Sequence, residues 1–280
     1  MKFYKKLSFD EERALYGERD ICVENCIFDG PADGESAFKE GGKIKVDNCY
    51  FNLRYPFWHC DGVDIDSSEM TELCRAALWY SKDIEIKNSK LHGIKALREC
   101  EKIQILNSDI ISPEFGWFSS EIRVNDSHFI SEYFMLKAKK LNFSGVEFKG
   151  KYSFQYIEDS VFENCNFDTK DAFWHAKNVV VRNSVIKGEY LAWYCENLTF
   201  ENCEIIGTQP LCYCKNLKLV NCKMIDCDLS FEKSFVEAEI TGHIDSVKNP
   251  EGGRIVADSI GEIIYNSTEK LCEIKVGDVV

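Results

Sequence analysis

Short stretches of the chain alternate between apolar and polar side chains and then stop at an asparagine. IKVDN ends at Asn48, IEIKN at Asn88, IQILN at Asn107, VVVRN at Asn183, LTFEN at Asn202 and LKLVN at Asn221. Four and two residues before the asparagine column lie Ile84 and Ile86, Ile103 and Ile105, Ile122 and Val124, or Leu198 and Phe200; Ser160 is the exception. Polar residues such as Glu85, Lys87, Arg123 and Glu201 stand between or beside them. A period of two predicts a half-buried strand. Three positions after the asparagine a second apolar column runs through Phe28, Phe51, Leu91, Ile110, Phe129, Phe148, Phe167, Ile186, Ile205 and Met224. Five positions after it the chain turns, often on glycine, as at Gly30, Gly93, Gly150, Gly188 and Gly207.

From Asn88 to Asn221 the columns recur every 19 residues or a multiple of that, with Asp126 and Gly145 filling the intermediate rows. Asn25 and Asn48 extend the column upstream, with an insertion in the GPADGESAF region, and Ser67 continues it. A repeat of this length, built from short strands with no helical period, predicts a parallel β-helix in which each repeat is one rung. Leucine-rich repeats have a different apolar spacing, and an α-solenoid is excluded by the period of two. Stacking at roughly 4.8 Å turns each column into a ladder, and about a dozen rungs give on the order of 55–60 Å. Asparagine suits the corner, because it tolerates the left-handed conformation and its amide can bond the neighbour above and below. The next residue is Cys or Ser in nearly every row (Cys26, Cys49, Ser68, Ser89, Ser108, Ser127, Cys165, Ser184, Cys203, Cys222), which fits an inward corner. The expected organisation is a single all-β domain. Its rungs run from 14 to 245, a cap covers 1–13, and a second cap with β structure covers 246–280.

The five tryptophans share one column. Trp58, Trp117, Trp174 and Trp193 lie ten residues after their ladder positions, and Trp79 joins them once a two-residue insertion is allowed. Arg98, Leu136, Gln155 and Cys212 fill the other rows. The following column holds His59, Tyr80, Glu99, Phe118, Lys137, Tyr156, His175, Tyr194 and Tyr213. The apolar column of Phe57 and the small-residue column of Cys60 flank the pair. Strict alternation cannot bury both flanking columns; a corner that sends the central two outward would do so, and at least one of these two columns is expected on the surface, while whether the tryptophan column itself is surface or core stays open. Tyr55, Glu114, Tyr133, Tyr152, Asp171, Tyr190 and Gln209 lie on the same side. Packing alone explains an aromatic stack. A ligand surface explains why His, Arg, Glu and Asp are interleaved with it, since sugar sites and protein hot spots use that mixture. The candidate ligand-binding residues are Trp58, His59, Trp79, Tyr80, Arg98, Glu99, Glu114, Trp117, Tyr152, Tyr156, Asp171, Trp174, His175, Tyr190, Trp193 and Tyr194. A carbohydrate is the first expectation for the ligand, bound or processed. A protein partner or a structural scaffold without catalysis is the alternative.

Composition narrows the classes further. With 47 acidic against 34 basic residues the formal net charge is −13, which disfavours nucleic acid and anionic lipid as partners. No apolar run is long enough to span a membrane, and the N-terminal MKFYKKLSFDEERALYG has no apolar export core. A cytoplasmic location with reduced thiols is therefore expected for the fourteen cysteines. The C-x-C of Cys212 and Cys214 lacks a second pair or nearby histidines, so no metal and no cofactor is expected. Asp61, Asp64 and Asp66 resemble the clustered carboxylates of β-helical polysaccharide hydrolases, but the register turns Asp64 and Asp66 toward solvent with Val63 and Ile65 inside. Asp171 and His175 share one rung without a third group to orient the imidazole, so catalytic residues stay unassigned and oligomeric state stays open.

The pattern resembles the single-stranded right-handed β-helix of pectin-lyase-like proteins, and that resemblance implies the handedness. More narrowly, FDEERALYG, FDGPADGESAFKE, CRAALWY, HGIKALREC, SPEFGW, GKYSFQY, GEYLAWY and GTQPLCYC are similar to a bacterial family of unknown function of about this length. That resemblance implies the fold and no activity.

Overall fold

The computed structural model describes residues 1–266 and 271–277. These residues wind into a right-handed parallel β-solenoid of about 14 turns, roughly 19 residues apart, with no helix among them. They fall into two compact units, Met1–Asn142 and Phe143–Val280.

In the first unit one face is a parallel ladder in which Arg19–Glu24, Gly42–Asp47, Asp61–Asp66, Lys82–Lys87, Glu101–Leu106 and Ser120–Asn125 pair in sequence. The register is column on column: Val63, Ile84, Ile103 and Ile122 are consecutive partners, and all are buried. A second face carries Ile27–Phe28, Tyr50–Phe51, Glu69–Met70, Lys90–Leu91, Asp109–Ile111 and His128–Glu132. The third face is a three-stranded sheet of Phe57–Trp58, Leu78–Trp79 and Leu97–Arg98, extended by an isolated bridge from Arg98 to Trp117. In the second unit Glu158–Glu163, Lys177–Arg182, Glu196–Glu201 and Lys215–Ile225 build the first face. Asn166–Asp168, Val185–Lys187 and Glu204–Ile206 build the second. There the third face carries turns, with left-handed residues at Phe154 and Tyr156, Phe173 and His175, and Ala192 and Tyr194.

The strand ladder reaches beyond 14–245 at both ends. Lys2–Lys5 pairs with Ile21–Glu24 and Ser8–Phe9 with Ile27–Phe28, so most of 1–13 is itself a turn of the coil. Downstream, Phe235–Lys248, Gly252–Ile264 and Cys272–Val276 pair in parallel. Of the stretch 246–280, expected to cap the coil, residues 267–270 and 278–280 lie outside the described set.

The interior is made of stacked phenylalanines and small polar side chains. Phe28 stacks on Phe51 at 4.6 Å and Phe154 on Phe173 at 4.9 Å, all fully buried. The Cys/Ser column after the asparagine also points inward. Each serine there accepts the N–H of its counterpart one turn back (Ser68 to Ser89, 3.0 Å; Ser89 to Ser108, 3.2 Å) and donates to the carbonyl two residues earlier (Ser89 to Lys87, 2.6 Å). This satisfies corner N–H groups that no strand pairing reaches. All fourteen cysteines are free and buried.

The asparagine ladder lies on the outside. Asn107 donates to Asn88 at 2.8 Å in the first unit, and Asn221 to Asn202 at 2.8 Å in the second, each exposed. Every ladder asparagine is left-handed, as at Asn183 (φ 49). A second such ladder joins Asp159, Asn178, Asn197 and Asn216 at 2.7–2.8 Å. Its signal in the sequence is the KN or EN dipeptide that opens the strands starting at Lys177, Glu196 and Lys215, with ED in its place at Glu158. Glycine is required where a turn passes close to its neighbour: a Cβ on Gly188 (φ 155) would lie 1.5 Å from the Thr169 carbonyl oxygen.

Candidate functional site

The corner after the third face sends two consecutive side chains outward. Phe57 and Cys60 are buried, Trp58 is half-buried and His59 exposed, and the same pattern holds for Leu78–Ser81, Leu97–Cys100 and Ala192–Cys195. The physical cause is a left-handed residue at the second outward position: His59, Tyr80, Glu99, Phe118, Tyr156, His175 and Tyr194 all have φ between 50 and 60. A left-handed residue breaks the strand's alternation, so neighbours no longer point to opposite sides. Bulky side chains adopt that conformation at a cost of about 1–2 kcal/mol. Here stacking along the coil offsets it.

On the first unit Trp58 stacks on Trp79 (5.2 Å, 3° between planes) and His59 on Tyr80 (4.9 Å). Arg98 takes the next place in the tryptophan column. Its guanidinium lies 5.2 Å from the Trp79 ring, 5.5 Å from Trp117 and 5.4 Å from Phe118, so it acts as the cationic layer of the stack. Glu99 pairs with Arg98 at 3.3 Å and Glu114 with Lys95 at 3.2 Å. On the second unit Trp174 stacks on Trp193 (5.3 Å, 2°), and Tyr156, His175, Tyr194 and Tyr213 form a continuous outer stack at 4.7–5.0 Å. Tyr190 meets Trp193 edge to face at 5.6 Å. Lys151 lies 5.5 Å from the ring of Tyr152.

The indole N–H groups are engaged in the coil. Trp58 donates to the Ala76 carbonyl at 2.7 Å, Trp79 to Lys95 at 2.7 Å, Trp174 to Tyr190 at 2.7 Å and Trp193 to Gln209 at 2.8 Å; Trp117 donates to Tyr133. Each acceptor is a left-handed corner residue one turn on. Gln155 reproduces the bond with its side-chain amide, reaching the Asp171 carbonyl at 3.0 Å. The tryptophan column is thus a clamp between turns as well as part of the outer surface. Sequence reasoning missed this role, whose signal is the glutamine standing in a tryptophan column. Ring faces cover one another along the stacks, so solvent meets mainly ring edges. Tyr194, for instance, is 46% exposed.

Two acid–base arrangements lie on or near these surfaces. Asp171 and His175 occupy the same turn, but no hydrogen bond joins them. Burial raises the carboxyl of Asp171 above its ordinary range and lowers the imidazolium of His175 below its own. On the second face of the first unit His92 and His128 contact opposite oxygens of Asp109 at 2.8 and 2.7 Å, an arrangement the sequence reading did not anticipate. Burial pushes the Asp109 carboxyl up, but the bonds from His128 and His92 outweigh it and hold the group below its usual value. Because the histidines bond different oxygens, they bridge one carboxylate and do not converge on a common point. Among the described residues no group of three or more His, Cys, Asp or Glu is placed to hold a metal ion. Cys212 and Cys214 donate to backbone carbonyls, and burial pushes Cys212 up to about 12. Val63 and Ile65 point inward, Asp61 pairs with Lys82 at 3.2 Å, and Asp66 accepts from Asn88 at 2.9 Å. Asp64 is less solvated than the register implied. One of its oxygens is buried without a hydrogen bond, and burial raises its carboxyl.

Residues 2–276 match the family described as "Protein of unknown function (DUF3737)", and the chain belongs to that family. No curated protein matches it. Among solved structures the chain is similar to PfbA, a surface adhesin of Streptococcus pneumoniae, at 11% identity over 82% of this chain and 77% of that one, with a TM-score of 0.43. It is also similar to the A-module of the mannuronan C-5 epimerase AlgE6 of Azotobacter vinelandii, at 8% identity over 93% and 75%, with a TM-score of 0.28. A third is HetL, a pentapeptide repeat protein from Nostoc sp. strain PCC 7120, at 10% identity over 79% and 92%, with a TM-score of 0.27.

Proposed function

We propose that this member of the DUF3737 family is a glycan-recognition protein that binds along the edges of its stacked tyrosine, histidine and tryptophan rings. The observation that carries the reading is the outward pair in successive turns, held in stacked register by a left-handed corner. Such rings present amphipathic edges with few rotamers left to lose, which lowers the entropic cost of binding. Because ring faces are covered, recognition runs through phenol and imidazole edges and through neighbouring carboxylates, with sugar hydroxyls as partners. Fourteen buried free cysteines support a reducing, cytoplasmic setting for the protein. Binding is tested by titrating neutral, acidic and basic oligosaccharides against tryptophan fluorescence. Tyr194→Phe keeps the stack and removes one hydroxyl, so it should weaken a bound glycan by about 2–12-fold, the loss of about 0.5–1.5 kcal/mol. A panel that produces no response, together with a protein captured by wild type and lost with Tyr194→Ala, would replace this reading with the scaffold one.

A further inference from the structure

We propose that the Asp171 carboxylate is a cation-binding subsite of the second unit's aromatic strip, selecting a ligand unit that carries a protonated amine: an amino sugar with a free ammonium group. The inference rests on the glycan reading and names the sugar class it takes.

Asp171 is 9% exposed, so nine-tenths of it is buried. Its backbone is fully engaged, the N–H donating to the Glu189 carbonyl at 3.0 Å and the carbonyl accepting from Gln155 at 3.0 Å. Its carboxylate makes no hydrogen bond and no ion pair among the described residues. Lys170, the adjacent cation, is bonded instead to Glu189 at 2.7 Å. The contrast is with Glu114, the carboxylate at the same column position in the first unit, which Lys95 neutralises. The Asp171 oxygens still reach solvent, since neither is among the buried side-chain atoms that lack a hydrogen-bond partner, so the carboxylate is open to a ligand from outside. A cationic ligand group would give it the ion pair that Glu114 makes with Lys95.

The surroundings suit an ammonium group. Tyr152 and Tyr190 hold the same column position one turn to either side, and Trp174 follows Asp171 by the offset that sets Tyr190 against Trp193. These tyrosine rings already attract amines: Lys151 lies 5.5 Å from Tyr152 and Lys170 lies 5.4 Å from Tyr190. A net charge of −13 favours a cationic ligand over an acidic glycan.

The test compares β-1,4-linked glucosamine hexamers with their N-acetylated counterparts by calorimetry at slightly acidic pH, using the full chain and Asp171→Asn. Wild type should bind the amino form about 10-fold or more tighter, the effect of one charge-assisted contact. Asp171→Asn should erase that preference and keep the wild-type circular dichroism. Equal binding of both hexamers by wild type, or a preference retained in Asp171→Asn, overturns the subsite and leaves glycan recognition standing. Binding of neither hexamer, nor of any sugar in the wider panel, overturns both.

Discussion

Removing one hydroxyl from the core, in Ser81→Ala, should destabilise the protein by about 2 kcal/mol. Ser81 is 2% exposed, in the small-residue column beneath the tryptophans. Its oxygen accepts the Cys60 N–H at 2.9 Å, and its hydrogen reaches the Phe57 carbonyl at 2.8 Å and the Trp79 carbonyl at 3.1 Å. The Trp79 carbonyl also accepts the His59 N–H, so it stays satisfied when the hydroxyl goes. The Cys60 N–H has no other bond partner in the described structure. An orphaned buried N–H costs about 1–3 kcal/mol, because it loses water in the folded state and gains nothing. For a chain of this size that is about 2–4 °C in Tm per kcal/mol, or about 4–8 °C in all. Urea denaturation followed by tryptophan fluorescence reads the change as a lower midpoint at unchanged slope. Ser81→Cys is the control. A thiol takes the same acceptor role where Cys26 N–H meets Cys49 Sγ at 3.4 Å, so cysteine should recover part of the loss. If Ser81→Ala left the midpoint unchanged, or matched Ser81→Cys, the internal ladder would not be a source of stability.

Two further outcomes follow from the corners and the clamp. Asn183→Leu should lose about 1–3 kcal/mol, mostly from forcing leucine to φ 49, since the side-chain bond it breaks is exposed; Asn183→Gly, free of that strain, should recover most of it in the same denaturation assay. Arg98→Ala should weaken glycan binding on the first strip with little change in melting temperature, while Trp117→Ala should lower both, because its indole N–H also bonds the Tyr133 carbonyl; calorimetry and thermal melts on the same samples separate the two.

The repeat itself was legible in the sequence because a parallel coil places equivalent residues on top of one another. Every geometric requirement of one turn is then written again about 19 residues later, and Ile84, Ile103 and Ile122, or Ser68, Ser89 and Ser108, announce their column by repetition. The outward placement of Trp58 and His59 was also within reach, since only a corner could bury both Phe57 and Cys60. What repetition cannot state is the partner of a polar atom. That the tryptophan N–H groups clamp the next turn, that the asparagine ladder is exposed, that His92 and His128 bracket Asp109, and that Lys170 turns to Glu189 and leaves Asp171 alone all depend on distances between side chains in different turns. Those distances are fixed by the pitch of the coil and the choice of rotamers, and neither is periodic in the sequence. The columns follow from the chain's own period, whereas the hydrogen bonds and charges that distinguish one turn from the next were decided only when the turns came together.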